Sequence, residues 1–273
     1  MIHTPKKRRF ERFCSWLAGV IDGDGKFDFQ RKVLKSVRIK IHIRDVRILK
    51  RIQSMTHVGR IRTVKTSYVM FIASSKQHMT RLLTCINGHI RIKVPNFQKA
   101  CQSLNIVYMR APDRLKPFDA YLAGLVDSNG SVGLNLNQNC INVSVEVNMS
   151  VPYVENLNLD SVIPYAKPNM VMRTTASGKK SMRFSYESVN AMPAVYDYFH
   201  RIRLYSDFKY YRVTRIKRFL TLRHFKAYPY GSIEYRIFSE FCLDFIMYQN
   251  PQWTKVPFVE KLDKDIVHRY TQS

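Results

Sequence analysis

Trp16-Leu-Ala-Gly-Val-Ile-Asp-Gly-Asp-Gly25 and Tyr121-Leu-Ala-Gly-Leu-Val-Asp-Ser-Asn-Gly130 are two copies of one motif, placed 105 positions apart in the chain. Each copy starts with an aromatic residue and Leu-Ala-Gly, continues with two aliphatic residues and Asp, and ends in Gly. A spacing of this size is that of a small domain. The 273-residue chain therefore contains an internal repeat, and each copy opens one repeated unit.

Alternating apolar and polar residues follow the first copy, as expected for strands with one buried face. We predict strands at residues 26–31 and 36–44, a helix at 46–55, a hairpin at 60–64 and 67–73, and a helix capped by Ser74 or Ser75. In the second strand four aliphatic residues alternate with four basic ones: Val37, Ile39, Ile41 and Ile43 with Arg38, Lys40, His42 and Arg44. The first unit should therefore present a basic outer face.

The second copy is followed by the same order of elements. We predict strands at residues 131–137 and 141–148, a helix from about Tyr153, strands at 170–174 and 181–186 around a turn at 176–179, and a helix at 191–204 that contains Pro193. Each unit is thus helix–strand–strand–helix–strand–strand–helix. The fold class is α+β, with two αββαββα units whose antiparallel sheets are covered by helices on one face only.

The charge of the chain points to a polyanionic partner, either nucleic acid or an anionic membrane. The formal net charge is +25 and the isoelectric point is near 10. Residues 1–116 contain 26 of the 45 Lys and Arg but only 6 of the 20 Asp and Glu, so the first half should bind phosphates more strongly. The hydrophobic content of 45% excludes a disordered basic tail protein.

The sequence contains no pattern typical of a membrane or disulfide-bonded protein. No run of about 18 apolar residues is present, so we predict no membrane span. The basic segment at residues 1–12 lacks the apolar stretch of a secretory signal, and it is either a solvated arm or an arm that contacts phosphates. The five cysteines are scattered and include no CxxC pair, which favours a reducing compartment without a zinc site.

The repeated motif resembles that of the LAGLIDADG homing endonucleases, in the single-chain form that carries two motifs. The resemblance covers about residues 13–226 and implies a monomeric pseudo-dimer whose two sheets form a saddle on nucleic acid. It also implies that the motif helices pack backbone to backbone through their small residues: Ala18, Gly19, Ala123 and Gly124.

The same resemblance implies which residues would catalyse strand cleavage. The family's catalytic acid precedes the final Gly of each motif, which gives Asp24 in the first unit and Asn129 in the second. Two such acids hold divalent metals such as Mg²⁺, so the metal site at Asp24 and Asn129 is weakened or lost. Asp22 and Asp127 would have structural roles.

Basic residues near the end of each unit lie close to the reactive phosphates in this family. Lys93 has a suitable position in the first unit. In the second unit Asp207 and Phe208 occupy the expected lysine positions, and Lys209 takes that role only if the alignment shifts by one or two positions. Apparent losses of an acid and of a lysine within one unit indicate relaxed selection for cleavage.

The resemblance further implies the residues that contact nucleic acid. In the first unit these are Lys26, Asp28, Gln30, Lys32, Arg38, Lys40, His42, Arg44, Arg60 and Arg62. In the second unit they are Ser131, Gly133, Asn135, Asn137, Asn142, Ser144, Glu146 and Asn148. The second set is rich in amides and hydroxyls, which can hydrogen-bond base edges or riboses but neutralise few phosphates.

We divide the chain into a basic arm at residues 1–12, a first unit at 13–112, a second unit at 113–226 and an extension at 227–273. The extension contains apolar residues at helical spacing between 233 and 248. This helix either packs on the second unit or binds a partner protein.

Three functions are compatible with these observations. The first, which we favour, is a cleavage-impaired protein that binds RNA rather than DNA, as a group I intron maturase or as part of an organellar ribonucleoprotein such as a ribosome. The second is an endonuclease that cuts or nicks double-stranded DNA with Mg²⁺. The third is a DNA-binding regulator without catalysis. The resemblance suggests an organelle, commonly the mitochondrion.

Overall fold

Helices and antiparallel strands alternate along the chain in a computed structural model, which describes residues 5–148, 153–154, 157–174 and 178–272. Its α-helices are α1 (Pro5–Asp24), α2 (Val46–Thr56), α3 (Lys76–Ile86), α4 (Val94–Ser103), α5 (Tyr121–Asn129), α6 (Met192–Arg201), α7 (Asp207–Thr214), α8 (Ile216–Leu222), α9 (Ile233–Met247) and α10 (Lys264–Gln272). Its strands are β1 (Gly25–Gln30), β2 (Val33–His42), β3 (Arg60–Val64), β4 (Tyr68–Ala73), β5 (Gly130–Asn135), β6 (Cys140–Asn148), β7 (Asn169–Thr174) and β8 (Lys180–Tyr186).

The strands form two four-stranded sheets with the same topology. Their orders are β1-β2-β4-β3 and β5-β6-β8-β7, and every neighbouring pair is antiparallel. Val37 and Ile39 on β2 are buried under helices, and so are their counterparts Val143 and Val145 on β6. The predicted α+β fold with two repeated units is confirmed.

The two motif helices, α1 and α5, pack against each other in the centre of the molecule. A Cβ atom at Gly19 would lie 2.1 Å from the carbonyl oxygen of Tyr121, and one at Gly124 would lie 2.0 Å from that of Trp16. Ala18 and other neighbours of these glycines are fully buried. The backbones therefore touch at the two glycines, where a larger residue would force the helices apart.

Three residues predicted to contact nucleic acid from strands lie in turns instead. β1 ends at Gln30, and Lys32 follows in a turn with a left-handed φ of 67°. β2 ends at His42, so Arg44 lies in a 3₁₀ turn, where Ile43 is 43% exposed despite fitting the apolar alternation. β5 ends at Asn135, and Asn137 lies in the next turn, which the Asn135 side chain closes by accepting a hydrogen bond from the Gln138 N–H.

The second unit departs from the predicted order between β6 and β7. The helix expected from about Tyr153 falls partly outside the described residues, and residues 157–168 form loops and turns rather than a helix. The turn at 176–179 also lies partly outside the described residues. The helix expected at 191–204 is α6, which is shorter than predicted. Pro193 lies in its first turn, where backbone N–H groups have no acceptor within the helix, so the proline removes no hydrogen bond.

The extension packs on the second unit through α9. Phe241 is buried, with its ring centroid 5.6 Å from that of Phe219 on α8. Tyr248 stacks on Tyr211 of α7 at 3.9 Å between centroids. These contacts agree with the alternative in which the extension helix packs on the second unit. Within the described residues, no helix has both the length and the apolar character that a membrane span needs.

Candidate catalytic and nucleic-acid-binding site

Asp24 and Asn129 end the two motif helices, and the helix ends touch. A Cβ atom at Gly23 would lie 2.0 Å from the Ser128 hydroxyl oxygen and 3.4 Å from the Cβ of Asn129. Each helix passes directly into the first strand of its sheet, β1 or β5. The two motif-end residues therefore flank one site at the junction of the two sheets.

The Asp24 carboxylate is partly buried and accepts no hydrogen bond from any residue that the structure describes. Burial raises the pKa of Asp24, while the positive charges of Lys93 and Lys209 lower it. Its oxygen lone pairs are thus available to a cation or a donor group.

Lys93 and Lys209 hold equivalent positions at the ends of the two motif helices. The Lys93 ammonium donates to the carbonyl oxygens of Ile21, Gly23 and Gly25 at 2.9, 2.8 and 2.6 Å. The Lys209 ammonium donates to those of Val126 and Asp127 at 2.8 and 2.7 Å. Burial lowers the pKa of both lysines, and nearby aspartates partly offset this effect. Both cations stabilise a helix C-terminus, where carbonyl groups lack partners.

The structure brings Lys209 to the place that the sequence alignment left ambiguous. Asp207 instead pairs with Arg47 of the first unit. The ring of Phe208 lies beneath the guanidinium groups of Arg44 and Arg212, at 3.9 and 4.1 Å. The second unit therefore has a lysine at its motif-helix end and differs from the first mainly in its missing acid.

Asp22 and Asp127 are buried and hold each unit's last segment against its motif helix. Asp22 accepts hydrogen bonds from the backbone N–H groups of residues 91–93, and Asp127 from those of residues 205–206. The Tyr121 hydroxyl also donates to Asp22 at 2.6 Å, and the Trp16 indole donates to Asp127 at 2.8 Å. Each motif aromatic thus bonds the acid of the other unit. Burial raises the pKa of both carboxyls, that of Asp127 to about 6.

Asn129 contributes no charge to the site. Its side chain is exposed, and its amide N–H donates to the backbone carbonyl of Glu146, which leaves the amide oxygen for any ligand. No three His, Cys, Asp or Glu side chains cluster as a metal site within the described ranges. The donor set suits one weakly held Mg²⁺ on Asp24 and does not suit a pair of metals.

The outer face of the first sheet carries the basic residues expected there, although several of them already contact neighbours, such as Lys26 with Asp28 at 3.9 Å and Lys40 with the Tyr68 ring at 4.5 Å. Lys26, Lys40, Arg60 and Arg62 are exposed on it. Arg38 instead forms a two-pronged ion pair with Asp28, and the His42 ring stacks edge-on against Tyr68. Arg44 lies off this face and packs on Phe208 of the second unit.

The outer face of the second sheet is more basic than its sequence pattern indicated. Ser131 lies opposite Ser144, and Asn142 and Ser144 are half-buried. Register places Arg183 opposite Glu146 and Arg173 opposite Ser181, which itself faces Asn148. Neither arginine was among the predicted contacts, although the alternation of residues 181–186 is a signal that identifies Arg183.

Comparisons with known proteins agree with this fold. A family model described as LAGLIDADG endonuclease matches residues 17–103. The intron-encoded RNA maturase bI4 of Saccharomyces cerevisiae is 30% identical over 123 residues, which is 44% of this chain and 19% of that protein. The intron-encoded DNA endonuclease ai2a of Dictyostelium discoideum is 22% identical over 218 residues, 78% of this chain and 68% of that protein.

Solved structures share the fold at low sequence identity. The homing endonuclease I-GzeII in complex with its DNA target has a TM-score of 0.54 and 11% identity, covering 87% of this chain and 99% of that one. The meganuclease I-SmaMI bound to uncleaveable DNA has a TM-score of 0.52 and 12% identity, covering 78% and 90%. The chain spans about a fifth of the maturase and about two thirds of the Dictyostelium endonuclease.

Proposed function

We propose that the chain is a two-motif protein of the LAGLIDADG endonuclease family, whose model matches residues 17–103, that it binds nucleic acid across both outer sheet faces, and that it is impaired in double-strand cleavage. The observation that carries this proposal is the pair of motif-end residues, Asp24 and Asn129. Hydrolysis of both strands calls for anionic metal ligands from both units, and only Asp24 supplies one.

The proposal requires Mg²⁺ only if the protein cleaves nucleic acid. Asp24 would hold one cation, with the amide oxygen of Asn129 as a neutral second ligand. The cation would neutralise charge that develops on a phosphate. Without a metal, Lys93 and Lys209 balance the charge of Asp24, so a purely binding role needs no cofactor.

RNA is the substrate we favour. The similarity to an intron-encoded RNA maturase and the hydroxyl- and amide-rich face of the second sheet both support it, since riboses offer such groups additional partners. The protein would assist splicing of a group I intron or form part of an organellar ribonucleoprotein such as a ribosome. Its location would then be the mitochondrion or another organelle.

A nicking endonuclease acting on double-stranded DNA is the second candidate. The first unit supports this candidate because it has both an acid, Asp24, and a lysine, Lys93, at its motif-helix end. Lys209 at the second motif-helix end and the similarity to intron-encoded DNA endonucleases support it as well. One complete half-site would cut one strand and leave the other intact.

The proposed organisation is a monomer with two pseudo-symmetric units at residues 13–112 and 113–226. The basic arm at 1–12 continues into α1, which is helical from Pro5. The extension at 227–273 would stabilise the second unit, because α9 buries its aromatic residues there.

Cleavage of a plasmid that carries the intronless insertion site tests the proposal. With Mg²⁺ or Mn²⁺ we expect no efficient double-strand cutting, and nicking alone would support the second candidate. In parallel, binding to the intron RNA should weaken steeply with salt, because several phosphates are neutralised. Efficient double-strand cutting by the natural chain would disprove impaired cleavage.

A further inference from the structure

An arginine-rich pocket lies at the far end of motif helix α1 from Asp24. It has a volume of about 320 Å³ and is lined by five arginines: Arg9, Arg12, Arg51, Arg201 and Arg203. Arg12 and Arg9 precede Asp24 by 12 and 15 residues on one helix. At about 1.5 Å per residue, they lie roughly 18 and 22 Å from the motif end. The pocket is therefore separate from the candidate catalytic site.

The charges in this pocket are largely uncompensated. No acid lines it, and within the described residues its arginines form a single ion pair, between Arg203 and Asp207 at 3.9 Å. The Arg51 Nε–H is buried and has no hydrogen-bond acceptor there. A buried donor without an acceptor is costly, so an anion in the pocket would relieve the cost.

Aromatic rings support two of the guanidinium groups of this pocket. Arg51 lies 5.0 Å from the centroid of Tyr205, and Arg201 lies 4.4 Å from that of Phe118. A guanidinium stacked on a ring keeps its N–H edge free for an acceptor. Phosphate oxygens match that edge with two parallel hydrogen bonds.

We propose that this pocket binds a backbone phosphate of a second RNA segment, outside the two sheet faces. The inference rests on the proposed nucleic-acid function and specifies its substrate. A straight duplex on the sheet faces does not extend to a point roughly 20 Å behind the motif ends. A folded RNA presents phosphates on several sides and reaches both surfaces.

A competition experiment with the full chain tests this proposal. The sheet faces are first saturated with unlabelled duplex DNA, and binding of a labelled oligouridylate of about 12 nucleotides is then measured. The oligonucleotide should still bind. The triple variant Arg9→Gln, Arg12→Gln, Arg51→Gln should weaken its binding at least about tenfold, with the duplex affinity changing less than about twofold.

The control removes the same charge from exposed lysines elsewhere, with Lys76→Gln, Lys99→Gln and Lys264→Gln. The proposal is overturned if the duplex displaces the oligonucleotide, if both triple variants behave alike, or if an oligoglutamate of equal length competes equally well. The single variant Arg12→Gln gives the same comparison if the pocket triple folds poorly. Failure of the duplex to bind would instead contradict the proposed function.

Discussion

The side chain at position 129 decides how much charge the two motif ends share. Asp24 already faces two ammonium groups, and its burial disfavours the charged form. A second carboxylate beside it would add like-charge repulsion that only a bound cation could offset. Asn129 removes this repulsion, and its amide bonds the Glu146 carbonyl. We therefore expect Asn129 to stabilise the metal-free protein at the expense of a metal site.

Asn129→Asp should reverse this balance. Without divalent metal, we expect the variant to melt below the wild type, because two carboxylates then share one site. With excess Mg²⁺ it should gain more stability than the wild type, since a cation that binds the native state stabilises it. Double-strand cutting should rise at least about tenfold, the effect of roughly 1.4 kcal/mol on a barrier. Thermal melting and plasmid cleavage measure both effects.

The matched control is Asn142→Asp, the same substitution on the outer sheet face. A similar response to Mg²⁺ in the two variants would contradict a role for position 129 in metal binding.

Lys209 should make stability depend on alkaline pH. Burial lowers its pKa from an ordinary 10.5, so the unfolded chain keeps this proton at pH values where the native protein has lost it. The free energy of unfolding then rises with pH across that window. Compared with Lys209→Met, the wild type should gain stability as the pH rises toward 10.5. Urea unfolding at several pH values measures the difference.

The exposed substitution Lys264→Met controls for the loss of one positive charge. Parallel stability curves for the wild type and Lys209→Met would show that Lys209 keeps its proton throughout.

At the scale of elements, the contact between α1 and α5 depends on two glycines that meet opposing backbone. Gly19→Ala would put a methyl group 2.1 Å from the Tyr121 carbonyl oxygen, which cannot move alone. Overpacking of this kind should cost about 3 kcal/mol of unfolding free energy. Gly133→Ala is the control, because its nearest neighbour is the flexible Asn142 amide at 3.0 Å. Urea unfolding should rank the two variants clearly, and equal losses would argue against backbone contact.

The sequence predicted elements well where burial alternates regularly and less well where the chain turns. β2 and β6 were found because aliphatic residues occupy every second position. Ile43 continued that alternation, yet it lies in a 3₁₀ turn and is exposed. Arg44 then stacks on Phe208, far away in the sequence. Contacts between distant segments end the strand, and no local pattern encodes them.

Candidate site residues were likewise predicted where a local pattern fixes their position, and less well where contacts between distant segments do. Asp24 and Asn129 could be located because the motif fixes their position within a helix. Lys209 remained ambiguous because its register depends on Asp127, which accepts hydrogen bonds from the backbone at residues 205–206. Arg173 was missed because β7 is exposed along its whole length and shows no alternation.

At the scale of the whole molecule, the uneven charge predicts which unit sets the salt dependence of binding. Lys40, Arg60 and Arg62 are exposed on the first sheet, whereas Arg38 and Arg44 are engaged by Asp28 and Phe208. Replacing those three by Gln should lower the slope of log affinity against log salt by up to about 3. Titrations with labelled duplex at several salt concentrations measure this slope.

The double variant Asn142→Ala, Ser144→Ala serves as the comparison from the second sheet. It should weaken binding without changing the slope, since it removes hydrogen bonds but no charge. A slope that falls equally in both variants would place the phosphate contacts elsewhere.

The crossed bonds from Trp16 to Asp127 and from Tyr121 to Asp22 mean that neither half of the chain is self-sufficient. Each half contains the aromatic residue that donates a hydrogen bond to the buried aspartate of the other half. The segment between α4 and α5 therefore keeps two non-identical units together in a one-to-one ratio. The two halves are therefore free to differ, so the second can carry an amide at Asn129 where the first carries the carboxylate of Asp24.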